Sequence, residues 1–286
     1  MVPRNAPHAV VHRDADSVPV ISFDYCDIGN REMPEVDGGV NNDDGPTPVL
    51  VMHDSITKSV FAHAVPHKGT QHEGSEFAVQ AVAADIESLG YKRIIVRGDQ
   101  EPSLLAFLRR VRQHVKCDCV PELTAVGEPQ SNGAAERAVQ TIKGLCRTLR
   151  DAVESNLKGP VPSDSPLMSW LVAHASAVSR RYQIGSDGRT AYYRNKGKPS
   201  STAAAEFGEK LWWRPLTPGS KHLPSADPRY QFGCFLGISE ISNELIIVSE
   251  SRQIVKTRSL RRVSASHRWD RELLLRIAGT ELQPNP

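Results

Sequence analysis

Gln130-Ser131-Asn132-Gly133-Ala134-Ala135-Glu136-Arg137 is the stretch from which the rest of this chain can be read. A polar, glycine-containing turn runs directly into a helical pattern that continues to about Asn156. Apolar residues recur at Ala135, Val139, Ile142, Cys146, Leu149 and Val153, in steps of 4, 3, 4, 3 and 4, so one face is suited to a core. A second stripe runs through Glu136, Gln140, Lys143, Arg147 and Arg150, in steps of 4, 3, 4 and 3. A core helix needs only the first stripe. The second sets a carboxylate in line with three cations and an amide, a pattern suited to holding an anionic polymer beside an acidic site.

Two further acids stand upstream. Asp24 ends the apolar run Val20-Ile21-Ser22-Phe23, and Asp99 follows Ile94-Ile95-Val96-Arg97-Gly98. Both runs read as strands with buried centres. Two strand-end aspartates and a helix-borne glutamate make an all-oxygen ligand set for a pair of Mg²⁺ ions. Asp27 is the rival of Asp24, but alternation puts it beyond the strand end, so Asp24 is preferred. Residues 48–54 and 59–65 read as two more strands, with Asp54-Ser55-Ile56-Thr57 as the turn between them. Residues 76–89 carry apolar positions at helical period and stop at Gly90. A second helix begins near Ser103 behind Pro102, and residues 117–120 read as a short fifth strand. The order β-β-β-α-β-α-β-α predicts an α/β fold, a mixed five-stranded sheet with flanking helices.

After Pro160-Val161-Pro162-Ser163 another helix is expected over residues 166–184, then a basic stretch and a linker at 197–202. From Phe207 short strands and turns replace the α/β texture, which predicts a small β-rich, barrel-like module. The domain reading is a disordered leader over 1–16, a core over 17–200, the β module over 201–265, and a C-terminal helix and tail over 266–286. Residues 279–286 are expected to be disordered. Trp212 and Trp213 fit the barrel core, with base-stacking as the alternative. His53, His63 and His67 read as incidental strand or loop residues.

The 286 residues carry a net charge of +2, so bulk charge does not announce a polyanionic partner. The distribution is more telling: residues 31–45 hold five acids and one base, 137–150 four bases and no acid, and 252–271 seven bases and one acid. No apolar stretch approaches the ~20 residues of a membrane span, and residues 1–16 lack the apolar centre of a signal peptide. The expectation is an intracellular protein, nuclear or cytoplasmic and not secreted. The five cysteines lack zinc-knuckle spacing and suit a reducing compartment.

Phe23-Asp24-Tyr25, His53-Asp54-Ser55-Ile56-Thr57-Lys58, Gly98-Asp99-Gln100-Glu101 and Ser131-Asn132-Gly133-Ala134-Ala135-Glu136-Arg137 together resemble the catalytic core of retroviral-type integrases, as carried by LTR retrotransposons. The gap from Asp99 to Glu136 is 136 − 99 = 37 positions, close to the family's usual spacing. Gly188-Arg189-Thr190-Ala191-Tyr192, Phe207-Gly208-Glu209-Lys210-Leu211-Trp212 and Phe232-Gly233-Cys234-Phe235-Leu236-Gly237 are similar to later segments of copia-like polyproteins. The chain departs from the family at Gln100-Glu101-Pro102, where Asn-Gly usually follows the second aspartate.

The resemblance implies a ribonuclease-H-like fold and a polynucleotidyl transferase of the D-D-E type, a DNA integrase joining DNA 3′ ends to target DNA. It implies Asp24, Asp99 and Glu136 as catalytic residues and ligands of Mg²⁺, with Mn²⁺ as a substitute. DNA, both element ends and target, is the implied partner, with a homo-oligomer as the active form and no membrane. The DNA-binding candidates are Gln130, Asn132, Gln140, Lys143, Arg147 and Arg150. Gln130, Asn132 and Gly133 suit either a flexible loop by the scissile phosphate or a polar first turn of the helix. The competing class is a non-catalytic nucleic-acid-binding remnant of the same fold. Removing residues 201–286 is expected to leave a core that still binds metal and holds DNA more weakly.

Overall fold

The computed structural model describes residues 18–28, 47–72, 74–123, 133–202, 205–215 and 228–286. The leader, the acidic stretch 31–45, Gln130 and Asn132 lie outside these. Five strands form the first sheet: β1 (Val20–Ile28), β2 (Thr47–Asp54), β3 (Val60–Ala64), β4 (Arg93–Gly98) and β5 (Asp118–Leu123). Their order is β3-β2-β1-β4-β5, with β1 antiparallel to β2 and parallel to β4. This is the mixed sheet read from the sequence, in a ribonuclease-H-like order. Pro121 sits in β5, an edge strand, where a missing N–H costs no central ladder bond.

Strand alternation divides the core between two faces. Ile21, Phe23, Tyr25, Leu50, Met52, Ile94 and Val96 pack with α1 (Ser75–Ser88) and α2 (Pro102–His114). Cys26, Val49, Val51, Val60 and Ala62 pack with α3 (Gly133–Leu157) and α4 (Leu167–Tyr182). The buried stripe of α3 is Ala135, Ala138, Ile142, Cys146, Val153 and Leu157. Val139 and Leu149, placed in the stripe by the sequence reading, are only partly buried. A 25-residue helix drifts relative to a strict 4-3 repeat, so the buried line migrates across its face. A further short helix, α5 (Ala191–Lys196), falls within the basic stretch; Thr190 caps it by accepting from the Tyr193 N–H at 3.1 Å.

The second sheet comprises β6 (Lys210–Trp213), β7 (Gln231–Ile238), β8 (Leu245–Ser249), β9 (Ile254–Thr257) and β10 (Leu260–Arg262), in the order β10-β6-β7-β8-β9. One face holds its own small core of Leu211, Trp213, Phe235, Leu245 and Ile247. The other supplies Cys234, Leu236, Val248 and Ile254 to the cluster that contains Trp170 and Leu171 of α4. The module therefore shares a core with the first domain, because both faces of β7 and β8 are apolar and one needs an external partner. Trp213 is buried and donates its indole N–H to the Phe232 carbonyl at 3.0 Å. Trp212 is half-buried and stacks on Phe232, with ring centroids 3.6 Å apart.

Two charged clusters reinforce that junction. Arg180 and Arg181, near the end of α4, are buried and share the Glu240 carboxylate, at 2.7 and 3.3 Å. Burial alone would raise the Glu240 pKa; the two guanidinium groups outweigh it and hold the carboxyl low. His63 is also buried, between Asp85 of α1 at 2.7 Å and Glu281 at 3.1 Å. Burial alone would lower the His63 pKa, but Glu281 and Asp85 raise it to about 10. The sequence reading had treated His63 as incidental.

The chain's last residues are docked, contrary to the expectation of disorder. Trp170 donates its indole N–H to the Gly279 carbonyl at 2.8 Å, and Asn285 exchanges two hydrogen bonds with the backbone of Ile254. The sequence predicts a C-terminal helix over residues 269–277 followed by a disordered tail. The tail is instead held by side-chain contacts from distant elements, which have no local signature. α6 (Arg271–Leu275) is capped by Asp270, which accepts from the Leu273 N–H at 3.0 Å. Among the described residues no helix is long and apolar enough to cross a membrane.

Candidate active site

Strand pairing places the first two acids side by side. The β1–β4 register runs from Val20↔Ile95 to Phe23↔Gly98, where β4 ends. Asp24 is the next residue on β1 and Asp99 the next after β4. β1 itself does not stop there: it continues along β2 to the pair Ile28↔Thr47. Asp24 is thus mid-strand rather than strand-ending, a correction to the sequence reading. Tyr25 and Cys26 are apolar enough to extend the strand, while the loss of β4 as neighbour opens the sheet at this point. Alternation sends Asp24 to the face of Cys26, which packs on α3. Asp27 falls on the other face and is exposed.

At Gly98 a Cβ would lie 2.9 Å from Leu108 Cδ1 and 3.1 Å from Leu104 Cδ2, so α2 packs closely on the strand end and a larger residue would make those leucine tips shift. Asp99 is exposed and accepts from the Gln100 N–H at 2.7 Å. Glu136 lies in the first turn of α3, between buried Ala135 and Ala138, with its own side chain in solvent. A carboxylate in that turn is favoured by the helix dipole.

The electrostatics join these positions. The Asp24 carboxyl is raised above its ordinary pKa, first by burial and then by the charges of Asp99, Glu136 and Glu101; a backbone hydrogen bond opposes them. The three expected residues therefore act on one another. They do not form a closed ligand cage: among the described residues no three His, Cys, Asp or Glu side chains stand close enough to hold a metal ion. Their chemistry fits Mg²⁺, since carboxylate oxygens are the ligands a hard cation takes.

Glu101 was missed as part of this site. It precedes α2 as its N-cap, accepts from the Ser103 hydroxyl at 2.7 Å, and faces Lys68 Nζ at 3.8 Å. Lys68 also sits over the Tyr25 ring, 5.6 Å from its centroid. The one sequence signal was the departure at Gln100-Glu101-Pro102, which puts an acid where the related motif has glycine.

The basic stripe of α3 divides in two. Gln140 and Arg147 are exposed. Lys143 is half-buried beside Cys26: burial raises that thiol to about 11, with Lys143 pulling it down and Asp24 and Asp27 pushing it up. Lys143 therefore stands by the acidic cluster. Arg150 is differently employed. It pairs with Glu154 at 2.8 Å and donates to the Val161 carbonyl at 2.7 Å, pinning the turn after α3. Four steps of helix carry Arg150 far enough from Glu136 to reach the next loop instead.

The raised Asp24 pKa has a definite sign for stability. Its ionised form is disfavoured in the folded state, so its contribution is unfavourable above the folded pKa and disappears as pH falls below the unfolded value. Asp24→Asn is expected to stabilise the metal-free protein at pH 7, by up to about 1 kcal/mol after allowance for solvent screening at a half-exposed site. Urea denaturation with chelator present measures this. A less stable variant would show that Asp24 is compensated by a favourable partner.

No family model matches the chain, and no curated protein matches it. Solved structures of similar fold include the catalytic core domain of BIV integrase, 14% identical, covering 62% of this chain and 93% of that one with a TM-score of 0.41. Another is a simian T-cell lymphotropic virus intasome, also 14% identical, covering 91% of this chain and 83% of that one with a TM-score of 0.45.

Proposed function

We propose that this chain is a retrotransposon-type DNA integrase, a polynucleotidyl transferase that joins DNA 3′ ends to target DNA. The observation that carries the reading is that Asp24 and Asp99 take the positions just after the last β1–β4 pair, and that the charges of Asp99 and Glu136, from distant parts of the chain, both raise the Asp24 pKa. Residues 18–262 supply the resemblance on which the retrotransposon origin rests. The same reading carries a nuclear or cytoplasmic location and a homo-oligomer as the working form.

In this reading Asp24, Asp99 and Glu136 hold Mg²⁺. When bound, the metal supplies charge neutralisation at the scissile phosphate and activation of a water or a 3′-hydroxyl. The remaining work belongs to side chains that position DNA. Lys143, beside the acids, grips the phosphate nearest the reaction. Arg147 and Gln140, exposed along the same helix, hold the backbone that leads to it. Glu101, tethered by Lys68 and by the Ser103 hydroxyl, keeps the entrance of α2 in place beneath Asp99.

A second reading, a nucleic-acid-binding remnant without catalysis, draws support from the separated carboxylates and from Glu101 in place of glycine. Incubating the full chain with a labelled oligonucleotide duplex and Mg²⁺ or Mn²⁺ distinguishes the two. Strand-transfer products that disappear with chelator are expected. Salt-dependent duplex binding with no product under either ion would leave the remnant reading standing.

A further inference from the structure

Two thiols have no part in the site above. Cys26, Cys146 and Cys234 are buried within the shared core, whereas Cys117 and Cys119 are half-buried at the start of β5, and all five are free. β5 is the outermost strand of its sheet, so solutes can approach one side of it. Cys117 lies in the bend just before β5 and Cys119 within the strand. The two Sγ atoms are 3.7 Å apart. Two sulfurs each about 2.3 Å from a tetrahedral ion lie about 3.8 Å apart. The pair thus already has the bite of a chelate.

We propose that Cys117 and Cys119 form a two-thiol site for a thiophilic divalent cation of the Zn²⁺ and Cd²⁺ class. Asp118, between them, points to the other side of the strand and pairs with Arg93 at 3.1 Å, so it does not enter the site. The two remaining coordination positions belong to solvent or an exogenous ligand, which makes the site open rather than structural. Both side chains also rest against the edge of the core that holds Ile94 and Val111. Neither side chain is fully buried, and Cys119 directs its S–H toward the Cys117 carbonyl at 3.5 Å, along the same rim.

Capture is a proton exchange without oxidation: M²⁺ + 2 Cys–SH gives M(S–Cys)₂ + 2 H⁺. Burial and the neighbouring thiol raise Cys119 to about 12, with Arg112 opposing them. The cation must displace thiol protons, so capture strengthens as pH rises.

The test uses the reduced full chain and Cd²⁺, whose thiolate charge-transfer absorption is not produced by binding to carboxylates. One ion per chain, two protons released per ion, and loss of the band in Cys117→Ser and in Cys119→Ser are expected. A variant-free measurement accompanies it. Phenylarsine oxide should bridge one pair of thiols with loss of water, and peptide mass mapping should locate it on Cys117 and Cys119. No band on the folded native chain, a band that survives both substitutions, or arsenic found elsewhere would each overturn the site.

Discussion

Glu136→Gln is expected to lower Mg²⁺-dependent strand joining by at least about 10³-fold, or ~4 kcal/mol of transition-state stabilisation. The substitution is isosteric and keeps an oxygen at the same position, but it removes the charge a divalent cation requires. Glu136 is exposed, so no buried contact is lost. The cost to the fold is confined to one favourable helix-dipole interaction, about 0.3–1 kcal/mol. Duplex binding should be unchanged or slightly tighter, since one anion leaves a surface lined by Gln140, Lys143 and Arg147. Single-turnover joining and salt-dependent duplex affinity, measured on the same preparation, check both halves. Joining within tenfold of the native chain would remove Glu136 from the metal site. Equal loss of binding and joining would make its role positional.

Deleting residues 201–286 is expected to cost 5 kcal/mol or more, a large share of the 5–15 kcal/mol that holds a typical domain together. This reverses the expectation drawn from the sequence, in which the shortened core kept its metal site. The reversal follows from α4. Trp170 and Leu171 share a core with Leu236, Val248, Ile254, Leu274 and Ile277, all of which the deletion removes. The deletion also takes Glu240 from Arg180 and Arg181, leaving two guanidinium groups without their carboxylate, and takes Glu281 from His63, which keeps only Asp85. Circular dichroism and urea denaturation of the 1–200 fragment measure the effect. A cooperative transition close to that of the full chain would show that the first sheet and its helices suffice, and that the module only rests against them.

Much of this was readable along the chain, because the signals concerned are local. Apolar runs leading to Asp24 and Asp99, a 3.6-residue stripe beginning at Ala135, and glycine and proline punctuation each depend on neighbours within a few residues. They defined five strands in order, the helices between them, and three carboxylates at spacings that one fold can gather. Other features depend on what lies across space. That β1 runs on past β4, so that Asp24 is mid-strand, was decided by the longer pairing with β2. That Glu101 joins the acids was decided by how α2 abuts Gly98, and that Arg150 leaves the basic stripe by the loop at Val161. His63, Arg180 and Arg181 look like ordinary surface residues in the sequence. Their burial beside Asp85, Glu281 and Glu240 arises only when the second sheet and the tail close over α4, since a buried charge needs partners that local sequence does not supply.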